Sequence, residues 1–191
     1  TAANFAFTNR AVLTDRLFKG LKAELGEEIE LSTLYDVSHN IAKIEDHIIH
    51  GKNCTCVVHR KGATRAFSGN QPDVHASFSD TGQPVVVPGD MGRGSWLMAG
   101  PRTQQNQAFG SACHGAGRAL SRSAARKQIN AEQKENELRN RGIVVQAATK
   151  NILSEEAPEA YKNVDQVIEN TSRANLARPV LRLEPMAVIK G

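Results

Sequence analysis

The order of apolar and polar positions divides the chain into short elements. Phe5, Phe7, Val12, Leu13, Leu17, Leu21 and Leu25 recur at the spacing of one helix face, so residues 3–24 are predicted to form an amphipathic helix closed by Gly26. Residues 31–37 are a short apolar run and read as a buried strand, interrupted by Ser38, His39, Asn40 and Ile41. Loose alternation over 43–50, the turn signal Gly51-Lys52-Asn53 and a β-branched run over 54–59 predict a hairpin spanning 43–59. Residues 84–88 and 96–99 read as strands around a glycine-rich turn, and the polar stretches 68–83 and 102–110 as loops. Residues 116–141 mix Arg, Lys and Glu along a helical pattern and are predicted as one helix capped by Gly142. Residues 143–147 read as a strand, 155–161 as a short acidic segment starting a turn or a helix, 164–174 as a helix with Asn163 as N-cap, and 180–189 as a closing strand. Helices and strands alternate without a βαβ rhythm. That predicts an α+β fold, with mixed sheets flanked by helices.

Composition bounds this picture. A chain of 191 residues, 40% hydrophobic and 23% charged, can build one globular domain or a large part of one. The net charge of +4 points mildly to a polyanionic partner. The three cysteines, Cys54, Cys56 and Cys113, are odd in number. Cys54 and Cys56 would face the same side of a strand, which argues against a disulfide framework and for a reducing, cytoplasmic setting. No apolar run approaches ~18 residues, so no membrane span is expected, and the N-terminus carries no signal-peptide pattern. The chain opens without a Met, in a helix, and reads as a piece of a longer protein.

Candidate chemistry concentrates in residues 110–122. Cys113-His114-Gly115-Ala116-Gly117-Arg118 sets a histidine among small residues, with Arg122 four residues beyond Arg118. Small residues let backbone approach a ligand, and a helix start offers free N–H groups to an anion. On the predicted helix, Arg118 and Arg122 would share one face. Spacing alone leaves two readings open: a histidine held beside a phosphate, or a glycine-rich turn before a solvated helix. The basic stretch 60–66 suits either phosphates or a solvated turn, and the glycines of 89–95 either a ligand or a turn. Of the six histidines, none falls in a HExxH pattern, and the cysteines form no CxxC. His47 and His50 lie in a strand and turn, where a shared metal is not expected. His39 and Asn40 interrupt an apolar run and can bond a ligand or a metal, although a satisfied structural histidine is the default there.

Several strings, in order, resemble the RtcB family of RNA ligases. They are Ala3-Asn4-Phe5-Ala6, Tyr35-Asp36-Val37-Ser38-His39-Asn40, His59-Arg60-Lys61-Gly62-Ala63-Thr64-Arg65, Pro88-Gly89-Asp90-Met91-Gly92, the His114 string, Glu156-Ala157-Pro158-Glu159-Ala160-Tyr161 and the terminal Val188-Ile189-Lys190-Gly191. The resemblance runs the length of the chain and makes residues 1–191 the C-terminal portion of a single RtcB-like catalytic domain. It implies a GTP- and manganese-dependent RNA ligase that joins 3′-phosphate or 2′,3′-cyclic phosphate ends to 5′-hydroxyl ends, in tRNA splicing or RNA repair. His114 matches the nucleophile that carries GMP, and His39 matches a manganese ligand, with Asn40 beside it at the nucleotide. Pro88, Gly89, Asp90, Met91 and Ser95 match the guanosine loop. Gly115, Ala116 and Gly117 match the lining beside the nucleophile, Tyr161 a residue packing on guanine, and Lys190 a base contact. Lys61, Arg118 and Arg122 match positions at RNA or phosphate.

Three departures qualify this. The family's N-terminal half, with its other metal ligands and an Asn/Glu pair at the nucleotide, is not in these residues, so the chain alone is expected not to ligate. Asp90 stands where a small hydroxyl residue is common. Ser68-Gly69-Asn70-Gln71-Pro72 differs from the family's loop. A non-catalytic RNA-binding or assembly module on the same scaffold, and a paralogue that heals or caps RNA ends, are the alternatives.

Overall fold

The computed structural model describes residues 2–103 and 108–190. The predicted first helix is α1 (Ala2–Leu25), which Gly26 ends at φ +114 while donating its N–H to the Lys22 carbonyl. None of its residues is buried, and Phe5, Leu13 and Leu17 stay exposed. Its main anchor is Arg10, whose guanidinium donates to Asp36 at 2.6 and 2.9 Å and to Ser38 Oγ at 3.2 Å. Residues 31–37, predicted as a strand, pair with no strand. The segment is held by side chains instead: Asp36 takes Arg10, and the Tyr35 hydroxyl accepts from Gln83 at 2.8 Å.

The predicted hairpin extends further at both ends. Strands β1 (Asn40–Ile49) and β2 (Lys52–Lys61) pair from Asn40 opposite Lys61 to Ile49 opposite Lys52. His50 and Gly51, at φ 49 and 78, make the tight turn. One face buries Glu45, His47 and Arg60, while the other exposes Ile44, Ile48 and Val57. Strand β3 (Ala63–Arg65) follows after Gly62. The basic stretch 60–66 is therefore not a solvated loop: Arg60 is buried, and Arg65 turns toward Asp73 and the Phe67 ring.

Strands β4 (Pro84–Asp90) and β5 (Gly94–Ala99) form a second hairpin, and β6 (Ser111–Cys113) pairs antiparallel with β3. Part of the predicted 102–110 loop, residues 104–107, lies outside the described residues.

The predicted helix over 116–141 is corrected. Residues 114–121 are non-helical, followed by α2 (Arg122–Gln128) and α3 (Ala131–Asn140). Gly117 takes φ +76. Ser121 Oγ accepts from Ala124 N–H and Asn130 Oδ1 from Gln133 N–H, so each starts a new helix. Arg118 therefore precedes α2, bridges to Tyr161 and shares no helix face with Arg122. At the end of α3, Gly142 is left-handed and donates to Arg139 while Ile143 donates to Leu138, the pattern of a glycine C-cap.

Strand β7 (Val144–Ala147), helix α4 (Lys150–Glu155), a 3-10 turn at Pro158–Ala160 and α5 (Val164–Arg173) follow. Asn163 caps α5 by accepting from Asp165 N–H at 2.9 Å. The single closing strand predicted over 180–189 is two strands in different sheets. Strand β8 (Arg178–Leu183) pairs antiparallel with β5, and β9 (Ala187–Lys190) pairs parallel with β7. Pro185 lies between them and has no N–H for a ladder. The architecture is α+β, with small sheets and flanking helices. One core joins Val85, Val87, Met98, Ala112, Ala116, Val164 and Ile168, and a second joins Met91, Leu138, Ile143 and Leu153. Among the described residues no helix is long and apolar enough to cross a membrane.

Candidate functional site

His114 is positioned by a short ladder. Ala63 lies opposite Cys113, so the residue after β6 arrives beside Gly62. His114 Nδ1 is 2.6 Å from the Gly62 carbonyl oxygen. A carbonyl only accepts, so Nδ1 carries the proton and Nε2 of the neutral ring keeps its lone pair. The Gly62 N–H donates in turn to the His39 carbonyl at 3.0 Å. The rings of His39 and His114 stack, with centroids 4.9 Å apart and planes 14° from parallel. Two histidines 75 positions apart in sequence thus meet across one glycine. At φ +68, that glycine takes a conformation a side chain resists, and an added Cβ would lie 3.4 Å from His114 Cε1.

Burial, then the neighbouring His114 and Arg10 charges, hold the His39 imidazole below its ordinary pKa. It therefore favours the neutral form a ligand histidine needs. Among the described residues, no group of three or more His, Cys, Asp or Glu is placed to hold a metal ion. His39 is one imidazole donor and not a site, so the described residues by themselves do not fit manganese. Cys113, next to the histidine, is no competitor as a nucleophile. Burial pushes its thiol up in pKa, and its Sγ lies 3.3 Å from Thr171 Oγ1.

Beyond His114, the backbone runs along β4. Ala116 N–H donates to the Pro88 carbonyl at 2.9 Å, and a Cβ on Gly115 would lie 3.4 Å from the same oxygen. The expected helix start with free N–H groups is absent at this point: Ala116 is buried in the core with its N–H engaged, and only Gly117 is exposed. Across Pro88 opens a pocket of about 270 Å³. Pro88, Gly89, Asp90, Met91, Ser95 and Lys190 all line it, although Lys190 comes from β9, a hundred residues away along the chain. Leu183, Glu184, Pro185 and Ala187 also line it, with Gly94 and Val188; the sequence reading missed the first four because it took 180–189 as one strand.

The Asp90 carboxylate does not project into this pocket. Its side chain is fully buried, Oδ1 accepts from the Gly92 and Arg93 N–H groups at 2.9 and 2.8 Å, and Oδ2 lies 3.6 Å from the Arg93 guanidinium. Oδ2, facing Arg93 at ion-pair distance, accepts no hydrogen bond. Met91 is likewise buried, in the second core. Gly89 N–H donates to Ser95 Oγ at 3.3 Å, and a Cβ on Gly89 would strike the Gly94 carbonyl at 2.0 Å. The close crossing of the two strands requires glycine there.

A charged cluster connects the pocket to Tyr161. The Tyr161 hydroxyl donates to Glu156 Oε2 at 2.6 Å, and Lys190 Nζ lies 3.4 Å from the same oxygen. Arg118 reaches Tyr161 Oη and Glu156 through Nη1, the Glu155 carbonyl through Nη2 and the Leu120 carbonyl through Nε, with its guanidinium 4.9 Å from the Tyr161 ring centroid. Every guanidinium nitrogen of Arg118 is thus engaged within the chain. Burial alone would raise the Glu156 carboxyl, but the Tyr161 hydroxyl, Lys190 and Arg118 together bring it below its ordinary range. Spacing offered no signal for Glu156. Lys61 lies opposite Asn40 at the open end of the first hairpin, and Arg122 is exposed 3.5 Å from Glu155.

Comparison with known proteins shows the family. The sequence model of the family described as tRNA-splicing ligase RtcB matches residues 1–191. The chain is 48% identical to the tRNA-splicing ligase RtcB of Thermococcus kodakarensis, over all of this chain and 40% of that protein. It is 46% identical to the protein of that name from Pyrococcus abyssi, over all of this chain and 21% of that protein, and 43% identical to the one from Pyrobaculum aerophilum, over all of this chain and 40% of that protein. The chain thus spans well under half the length of these relatives, and over that span it belongs to the tRNA-splicing ligase RtcB family.

Proposed function

We propose that this chain is the nucleophile-bearing portion of an RNA ligase that uses GTP and joins RNA 3′-phosphate or 2′,3′-cyclic phosphate ends to 5′-hydroxyl ends, tRNA halves among them. The observation that carries the reading is the His114–Gly62 hydrogen bond, which leaves the Nε2 lone pair free, two residues before the Ala116 N–H that donates to the Pro88 carbonyl. Nε2 attacks the α-phosphorus of GTP, the α–β phosphoanhydride bond breaks, and pyrophosphate leaves. A 2′,3′-cyclic phosphate end is first opened by water, which breaks the P–O2′ bond and leaves a 2′-hydroxyl and a 3′-phosphate; the guanylate then passes from His114 to the RNA 3′-phosphate. The 5′-hydroxyl then attacks that phosphorus, a phosphodiester forms and GMP leaves.

In this reading the guanosine occupies the pocket lined by Pro88, Gly89, Asp90, Met91 and Ser95, with Lys190 and Tyr161 toward the base. Lys61 and Arg122, both exposed, reach RNA phosphates. Arg118 holds Tyr161 and Glu156 instead, since its guanidinium is already engaged. Manganese belongs to the same reading: His39 supplies one donor, and the others come from outside this chain. A histidine held in one tautomer favours this enzyme over a binding module, which needs no such nucleophile.

The test is incubation of the full-length protein with GTP labelled at the α-phosphate and manganese. The expected product is an acid-labile, base-stable label on His114, absent from the His114→Ala protein. Label retained in His114→Ala would sink the assignment.

A further inference from the structure

Arg60 is 2% exposed beneath the first hairpin, and the chemistry above does not use it. Each of its guanidinium nitrogens has a partner. Nη1 and Nη2 grip Glu45 at 2.8 and 2.9 Å, Nη2 also donates to the Phe109 carbonyl at 2.7 Å, and Nε donates to Ser111 Oγ at 2.9 Å. Glu45 is itself buried and has His47 Nε2 3.1 Å away on its other side. The two ends of this network lie in different places: Glu45 and His47 belong to β1, whereas Phe109 and Ser111 lead into β6 and on to His114.

Strand β6 has only three residues and few ladder bonds of its own to set where it begins. The backbone before it is strained, since Phe109 and Gly110 are both left-handed, at φ 49 and 57, and a phenylalanine pays for that conformation. The bond from Arg60 to the Phe109 carbonyl holds that turn. Arg60 is also two residues before Gly62, whose carbonyl accepts the hydrogen bond from His114 Nδ1–H. One guanidinium therefore braces both sides of the His114–Gly62 bond, the acceptor through β2 and the donor through Ser111. Only a planar fork with several N–H groups can reach a carboxylate, a carbonyl and a hydroxyl at once.

We propose that Arg60, held by Glu45, is the positioning residue of His114: through Ser111 and the Phe109 carbonyl it sets β6 against β3 so that Nδ1 stays on Gly62 and Nε2 keeps the lone pair. The effect on rate rests on His114 being the nucleophile; the effect on the tautomer does not.

The test compares Ser111→Ala and Arg60→Lys in the full-length protein. Ser111→Ala removes the acceptor for Arg60 Nε, together with a 3.4 Å bond from Ser111 Oγ to the Phe109 carbonyl, and leaves Glu45 paired, so the fold is retained. Two readouts are taken, the nitrogen chemical shifts of the His114 ring and the rate of labelling from GTP. Ser111→Ala is expected to slow labelling about tenfold and Arg60→Lys about a hundredfold, the scale of a small misplacement of a reacting group. The GTP concentration for half-maximal rate should not change, and in both variants the Nδ1–H tautomer should lose its dominance. Parent-like shifts and rates in both variants would overturn the proposal, as would rate losses that follow the thermal midpoint alone. If the parent protein takes no label yet the tautomer shifts in the variants, the positioning stands and the nucleophile assignment fails.

Discussion

The two ends of the candidate site are built differently. At the His39–His114 end, side chains are placed by backbone: a carbonyl, a left-handed glycine, a three-residue ladder and one buried arginine bracing the strand. At the Lys190–Tyr161 end, they are placed by charge, through the Glu156 carboxylate shared by a lysine, a tyrosine hydroxyl and an arginine. The first kind of placement suits a nucleophile, whose tautomer and position must be set to within tenths of an ångström. The second suits the recognition of a base, where a half-buried ion pair can adjust. Backbone placement should resist salt and fail abruptly under steric change, whereas charge placement should weaken by degrees.

The sharpest break of this contrast is Arg60→Met. It removes the two hydrogen bonds from the guanidinium to the buried Glu45 carboxylate, leaving His47 at 3.1 Å and Arg65 at 3.9 Å, and is expected to cost about 3–5 kcal/mol, read as a fall in the denaturant midpoint. A loss below ~1 kcal/mol would mean that Glu45 finds other partners. Gly62→Ala comes next: a side chain at φ +68 costs about 1–2 kcal/mol. It should also slow labelling of His114, while Gly62→Asn, which tolerates that conformation, should recover most of both. Equal behaviour of the two variants would show that the backbone there is not decisive. At the other end, Glu156→Gln should lose about 1 kcal/mol or less, since the cluster is partly exposed to solvent. Its main effect should be weaker GTP binding at an unchanged labelling rate, and the same binding should weaken with added salt.

Two pH effects complete the set. The Glu156 carboxyl sits below its ordinary pKa, so its stabilisation is present above the unfolded value, ~4.3, and is lost as pH falls below that value. The smallest effect concerns His39, also depressed. Its contribution is present above ~6.5 and is lost as pH falls through that range. In His114→Ala, the stacked neighbour and its charge are gone, so the His39 titration followed by NMR should move up toward the ordinary value. An unmoved titration would show that the pair is not electrostatically coupled.

The sequence was most legible where the signal was local. Gly26, Gly142 and Asn163 were each read correctly, because a left-handed glycine or a capping side chain acts within a few residues; the hairpin turn, read at Gly51-Lys52-Asn53, lies one residue earlier, at His50–Gly51, with Lys52 and Asn53 already in β2. The same locality explains the errors. The charged run 116–141 looks helical throughout, yet Ser121 and Asn130 each capture a backbone N–H and restart the helix. The apolar run 31–37 lacks a partner strand, and 180–189 is divided between two sheets.

Residue chemistry alone left His114 between a phosphate site and a turn, and the ordered motifs named it and His39 one at a time. Helix α1 and the caps needed only short-range rules, so the amino acids determined them by themselves. That His39 stacks on His114, that Gly62 supplies the oxygen fixing the tautomer, and that Lys190 closes the pocket begun at Pro88 were decided only by the tertiary structure. Those contacts join segments far apart in sequence, and they depend on the β3–β6 register and the parallel β7–β9 pairing, which short-range patterns do not encode.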